Sequence, residues 1–364
     1  MTTIPLKHRE LLAHYRMPPE WAPHQACYLV WPHNRDTWPG KFEVIPPVYA
    51  DMVAAISQFE PVRLMVNDEA QIPDVRKMIR EAARIQKYDQ DATIRRIEIF
   101  YLPTNDSWTR DHGPIFVNRI DNGEPKQIAL DWRFNSWGQK YGAFDLDDVV
   151  PQKLGARYNF EVIEPGIVLE GGSIDVNGAG TLLTTESCLL NPNRNPDLTR
   201  SEIEEYLKVY LGVTNVLWLG DGIAGDDTDG HIDDLARFVS PDTIVTVVEE
   251  DPTDANYKVL RENLNRLKKM RDQNNQPFKI ETLPMPPALI HEDTRLPASY
   301  ANFYIANGAV LMPTFNTPTD AVASATLSHL FPGRRVVGVP STDLVWGLGS
   351  VHCLSQQHPT PPNI

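Results

Sequence analysis

The sequence predicts an α/β chain built from a repeated supersecondary unit, and three observations predict it. Amphipathic stretches with helical spacing alternate with short β-rich runs. From the run "IEIFYLP" onward these runs return at intervals of roughly 55–65 residues, the signature of a structural repeat. Loops near the same point of each unit are crowded with acidic, aromatic or sulfur-bearing residues.

In chain order, apolar spacings of three and four place helices at about 44–59, 70–86, 146–157, 200–211, 254–270 and 319–331. The β-rich runs that follow them are "VRLMV", "IEIFYLP", "FEVIEPG", "VLWLGDG", "IETLPMP" and "VVGVPST". Further strands are expected in "PIFVNR", "GTLLTTE", "LARFVS" and "AVLMPTF". Five such units fit the 364 residues. The loops rich in chemistry read "TNDSWTRDHG", "GIVLEGG", "DGIAGDDTDGHIDD", "PPALIHEDT" and "TDLVWGLGSVHC". A radially repeated fold brings equivalent loops to one axis, and a ring is complete only when its last unit, carrying Cys353, is in place. The 31 prolines are dispersed and no Gly/Ser-rich linker interrupts the chain, so residues 1–364 are expected to form a single domain.

Composition narrows the function classes. With 41% hydrophobic and 23% charged residues the chain is of ordinary globular type. It contains no apolar run of the ~18 residues that a membrane span needs. The N-terminal segment carries charges where a signal peptide has an apolar stretch. Three dispersed cysteines (Cys27, Cys188, Cys353) form no C-x-x-C pair and no disulfide framework, which points to a reducing cytoplasm. A formal net charge of −14 argues against a nucleic-acid partner, which a basic surface would serve. A homodimer is the default expectation for assembly.

The candidate chemistry starts with Cys353, set behind Gly347 and Gly349 and beside His352. A lone cysteine is usually a buried small hydrophobe. As a nucleophile it must be a thiolate, and with a reference pKa near 8.5 only about 3% is ionised at pH 7, so the site has to supply positive charge. His231, in "TDGHIDD", is the acid/base candidate against the plainer reading of a solvated turn residue. On a strand, His231 and Asp233 would face the same side. The aspartates around it do not fall at calcium-loop positions. Asp111 lies three residues after Trp108; a carboxylate beside an indole suits a flat cation, although an Arg110–Asp111 turn pair would explain it as well. Glu170 precedes two glycines that let a ligand approach the backbone. His112, His231 and His352 show no paired metal spacing, so neither metal nor cofactor is expected. One thiol, one histidine and several carboxylates are too acidic a set for an oxyanion-stabilising protease. They suit a guanidinium, which brings five N–H donors and the missing positive charge.

The blocks "NDSWTRDHGPIFV", "LEGGSIDVNGAGTLLTTESCLLNPNRNP", "DTDGHIDDLARF" and "GLGSVHCLSQQ", with "YLVWPHNRDTWPG" before them, resemble the agmatine deiminase and bacterial peptidylarginine deiminase family of the guanidino-group-modifying superfamily. The resemblance runs from about Trp31 to Gln357. It implies a five-bladed α/β propeller and a triad of Cys353, His231 and Glu170. It further implies that Asp111 and Asp233 grip the guanidinium, with Trp108 lining the pocket and Asp227 at the far, amine end of agmatine. Gly-Leu-Gly-Ser at 347–350 and Asp175 depart from the family's frequent Gly-Gly-Gly-Asn and histidine. The expected activity is hydrolysis of agmatine to N-carbamoylputrescine and ammonia. Arginine or peptidyl-arginine deimination, an amidinotransferase, and a non-catalytic cation-binding propeller are the alternatives. A binding module would need the carboxylates but not Cys353.

Overall fold

The computed structural model describes residues 4–121 and 126–361. Among them, five sheets of three or four strands share one pattern, beside a two-stranded hairpin at Ile290–Arg295. In each of the five, a first strand pairs antiparallel with a second, and a helix then carries the chain to a third strand parallel to the second. A parallel neighbour cannot be reached by a tight turn, so each unit needs that helical crossover.

The first unit runs Ile115–Arg119, Gln127–Leu130, helix Val150–Tyr158 and Glu161–Ile163. The second is Asp175–Val176, Thr181–Thr185, helix Arg200–Leu211 and Asn215–Leu219. The third is Ala236–Ser240, Thr243–Val248, helix Tyr257–Leu267 and Lys279–Pro284. The fourth is Tyr304–Ala306, Ala309–Thr314, helix Thr319–Leu330 and Arg335–Pro340. The fifth joins the two ends of the chain. Its first strand, Gln356–Pro359, pairs antiparallel with His24–Val30, which leads through helix Ile45–Ile56 to Val62–Val66 and through helix Ile72–Ile85 to Ile97–Tyr101.

Local signals set the helix ends. Helix Arg200–Leu211 starts on a capping box between Thr199 and Glu202 and stops at Gly212, in the left-handed region with φ 65°. Prolines in the first turns of Ile45–Ile56, Ile72–Ile85 and Val150–Tyr158 pre-set the helical φ where no N–H partner is lost. The second strands are buried along nearly their whole length, which is why "TIVTVV" and "AVLMPT" read as continuous apolar or β-branched runs.

Two sequence expectations change. Ile232–Asp234 is a short 3₁₀ turn, not a strand, so His231 and Asp233 are both buried through the turn rather than through strand alternation. The fourth unit's inward contribution comes from Tyr300–Asn302, just before its first strand; the "PPALIHEDT" segment forms the hairpin at the mouth of the cavity described next. No helix among the described residues is long and apolar enough to cross a membrane.

Candidate active site

Each of the five sheets sends one loop to a common centre, and it is always the loop before the first, antiparallel strand. The five carry Trp108–His112, Glu170–Ser173, His231–Asp234, Tyr300–Asn302 and Ser350–Cys353. Backbone bonds tie them together: Arg110 N donates to Cys353 O at 3.1 Å, and His352 N to Asn302 O at 3.2 Å. Close approach decides two glycines. A Cβ on Gly172 would sit 2.5 Å from His231 Nδ1, and one on Gly349 would meet the Trp108 ring at 2.5 Å.

Cys353 is 6% exposed and its sulfur faces the cavity. Asn302 Nδ2 donates to Sγ at 3.0 Å, and Asp233 Oδ2 lies 3.7 Å from it. Burial, then the nearby charges of Asp233, Asp234 and Asp111, push the thiol well above its usual range. The free protein therefore holds Cys353 as a thiol.

Asp111 is fixed on both oxygens. Oδ1 accepts from Gly172 N at 3.0 Å and Oδ2 from Trp137 Nε1 at 3.0 Å. Burial raises its carboxyl to about 6, with Asp233 and Glu170 adding to the rise and His231 opposing it. Trp137 is carried by four successive residues with positive φ, Ser136 to Gln139, capped by Asn135 Oδ1 accepting from Gly138 N at 2.8 Å. His231 Nδ1 is 3.8 Å from Asp111 Oδ1, and Nε2 is 3.9 Å from Glu170 Oε2. Burial opposes charging His231, yet Asp111, Cys188 and Asp233 outweigh it and hold the ring protonated well above its ordinary range. Both His231 nitrogens, Glu170 Oε2 and Asp233 Oδ1 are buried with no hydrogen-bond partner within the protein. Glu170 Oε1 is taken by Arg194 Nε at 2.6 Å, and Arg194 also bonds Asp229 and the Thr228 carbonyl.

The cavity above this floor has a volume of ≈ 810 Å³. Trp108, Trp137 and Trp346 wall it, and Asp36, Asp106, Asp111, Asp147, Asp227 and Glu292 line it with carboxyls, of which burial raises Asp106, Asp111, Asp147 and Asp227. No lysine or arginine stands among the described residues that line it. Asp227 accepts from the Tyr141 hydroxyl, and burial raises its carboxyl. The two arginines nearest by motif are engaged elsewhere: Arg110 is buried on Gln357 and Glu20, and Arg35 pairs with Glu43 at the surface.

All seven residues singled out from sequence thus gather here: Cys353, His231, Glu170, Asp111 and Asp233 at the floor, Trp108 and Asp227 on the wall. Asn302, Trp137 and Arg194 were missed. Asn302 sits in "SYANF", with no acidic or sulfur-bearing neighbour to mark it; the run of Asn, Ser, Trp and Gly at 135–138 was the one local signal for Trp137. Among the described residues, two groups bring three potential metal donors within 4.8 Å of one another: Glu170, Cys188 and His231, and Asp233, Asp234 and Cys353. The Arg194 guanidinium on Glu170 sets a positive charge against a metal in the first.

A buried thiol and imidazole among converging carboxylates define an α/β protein whose centre is built to meet a small organic cation. The chain belongs to the Porphyromonas-type peptidyl-arginine deiminase family, whose model matches residues 16–359. It is 38% identical over 374 residues to the agmatine deiminase of Ectopseudomonas mendocina (strain ymp), covering 95% of this chain and 96% of that one. Among solved structures it resembles agmatine deiminase of Enterococcus faecalis (32% identity, TM-score 0.87, covering 100% of this chain and 99% of that one). It also resembles a cysteine-to-serine variant of C. jejuni agmatine deiminase with substrate bound (33% identity, TM-score 0.83, covering 95% of this chain and 97% of that one).

Proposed function

We propose that this protein hydrolyses agmatine to N-carbamoylputrescine and ammonia through a covalent intermediate on Cys353. The observation that carries the reading is the buried Cys353 thiol, held protonated by carboxylates at the floor of a cavity lined by acids and free of lysine and arginine among its described residues. Such a site is complementary to a cation and activates its nucleophile only when that cation arrives.

In this mechanism Asp111 and Asp233 hold the guanidinium by charge-assisted hydrogen bonds, Glu170 Oε2 accepts a further N–H, and Trp108 covers a face. The entering positive charge offsets the carboxylates around Sγ, and Cys353 loses its proton to solvent. The thiolate attacks the guanidinium carbon, forming a C–S bond. The C–N bond to a terminal nitrogen then breaks as protonated His231 donates its proton, and ammonia departs. His231, now neutral, takes a proton from water as that water attacks the thiouronium carbon; the C–S bond breaks, the ureido product leaves and the thiol is restored. Asn302 Nδ2 offers the anionic sulfur a hydrogen bond.

Agmatine is preferred over arginine or peptidyl-arginine because an α-carboxylate would enter a carboxyl-lined cavity with no arginine positioned to receive it. Like charges a few ångströms apart at an effective dielectric near 20 repel by several kcal/mol, of the order given by Coulomb's law. The five sheets of one pattern, with the chain ends paired in one of them, support a five-bladed α/β propeller formed by a single domain over residues 1–364. The test is ammonia release in competition between agmatine and arginine at equal concentration. Agmatine is expected to lead by at least ~100-fold in kcat/KM; citrulline formed at a comparable rate rejects the substrate assignment.

A further inference from the structure

Beneath the catalytic floor lies a second layer of charge that the reaction as written does not touch. His352 Nδ1 is 2.7 Å from Asp233 Oδ2, and His352 Nε2 is 2.7 Å from Glu20 Oε2. Glu20 also receives Arg237 at 2.9 Å, Arg110 at 3.4 Å and, on its other oxygen, the Ile305 N–H at 2.7 Å. Arg237 continues to Asp175 at 3.3 Å. All of these residues are buried.

We propose that His352, held as an imidazolium between Glu20 and Asp233, is the positioning residue that fixes Asp233 for capture of the guanidinium. A neutral imidazole has one N–H, so a neutral ring here would aim a lone pair at a buried carboxylate. Charge balance agrees. Arg110 and Arg237 supply two cations against the three anions Glu20, Asp175 and Asp233, and an imidazolium supplies the third. The geometry then explains how Asp233 divides its labour. Its protein contacts fall on Oδ2, while Oδ1 is buried without a partner. With Oδ2 locked by His352, Oδ1 is the oxygen left for the substrate. The same histidine is pinned through its backbone, since its N–H donates to Asn302 Oδ1 at 3.0 Å. Glu20, far away in sequence, anchors the ring from below.

Removing His352 takes away the cation that favours ionised Asp233, so that carboxyl, held low in the native protein, titrates higher; once it rises past Asp111 it takes over the acidic limb of kcat/KM and moves it to higher pH. The other groups facing this pair are Cys353, His231, Asp111 and Asp234 above, and Glu20, Asp175, Arg110 and Arg237 below.

The inference rests on the deiminase reading only for its kinetic arm. In that arm, agmatine kinetics of His352→Ala, His352→Gln and Glu20→Gln are followed against pH. His352→Ala is expected to raise KM at least ~10-fold and to move the acidic limb upward. His352→Gln, which still donates one hydrogen bond to Asp233, restores part of the lost affinity, and Glu20→Gln shifts the limb in the same direction. A folded His352→Ala protein with wild-type KM and an unmoved limb overturns the proposal. The second arm needs no activity and no Ala variant: ¹⁵N NMR of the wild-type histidines, with His352 located by its loss in His352→Gln or its perturbation in Glu20→Gln. Two protonated ring nitrogens, one donating to Asp233 and the other to Glu20, are the expected result. A singly protonated ring at neutral pH overturns it. Wild-type ammonia release from agmatine, measured alongside, shows separately whether the deiminase reading stands.

Discussion

The carboxylates at the floor of the cavity and those at its mouth are the same functional group put to opposite use. At the mouth, Asp106 accepts from Thr37 at 2.6 Å, Asn34 at 3.2 Å and the Ser107 N–H at 2.7 Å. Asp147 takes the N–H groups of Asn105 and Asp106 at 2.7 and 3.3 Å, and Asp227 takes the Tyr141 hydroxyl. These acids shape loops, and burial raises all three carboxyls, that of Asp147 well above its ordinary range. At the floor, one oxygen each of Glu170 and Asp233 is buried with no partner in the protein. Leaving a buried acceptor unsatisfied costs about 1–3 kcal/mol, so such atoms mark where a ligand's donors belong. In the proposed mechanism the mouth selects for charge and the floor positions it for chemistry.

By that division, substitutions at the floor lower catalysis whatever the substrate, while those at the mouth redistribute preference among substrates. The largest effect is expected for Cys353→Ser, which should lose essentially all turnover, at least ~10³-fold in kcat, because a hydroxyl is far less ionised than a thiol. Agmatine binding measured by calorimetry should survive. Next, Asp111→Asn and Asp233→Asn each remove a charge-assisted bond while keeping the shape. Each should cost at least ~2 kcal/mol of transition-state stabilisation, roughly 30-fold in kcat/KM. Changes below about threefold at both sites would move the guanidinium clamp elsewhere.

A pH profile sharpens the same contrast. Burial raises the Asp111 carboxyl to about 6. Below that pH it is protonated and cannot pair with a cation, so kcat/KM should fall as pH drops through about 6, and Asp227→Ala should leave that limb in place. The smallest effect is expected at the mouth. Asp227→Ala should weaken agmatine only several-fold and narrow its lead over arginine, measured as the ratio of carbamoylputrescine to citrulline formed in competition; an unchanged ratio would remove Asp227 from substrate selection.

What could be read in the sequence followed the same line. Helices were found nearly in register from apolar spacing, with or without a cap: 200–211 is the capped helix Arg200–Leu211, and 319–331, which has no side-chain cap, ends one residue early at Leu330. The acidic and thiol-bearing floor residues stood out because their chemistry is uncommon next to glycine and tryptophan. Residues that act through a distant partner gave no local signal. Glu20 meets His352 across 332 positions, and Asn302 meets Cys353 across 51, contacts that only the folded arrangement of sheets creates. Gln356–Pro359 was not read as a strand, because "QQHP" has neither alternation nor β-branching; its pairing with His24–Val30 comes from its position at the chain end. Leu348, where the resemblance led us to expect glycine, adopts φ 69° beside the cavity, a conformation sequence pattern cannot announce.

The central claim is the covalent step, and one measurement reaches it directly. The wild-type enzyme is mixed with agmatine, quenched in acid during turnover and examined by intact-protein and peptide mass spectrometry. The account predicts an added mass equal to agmatine less ammonia, located on Cys353 and absent from Cys353→Ser treated in the same way. Turnover by Cys353→Ser near the wild-type rate, or an adduct formed on another residue, would contradict it.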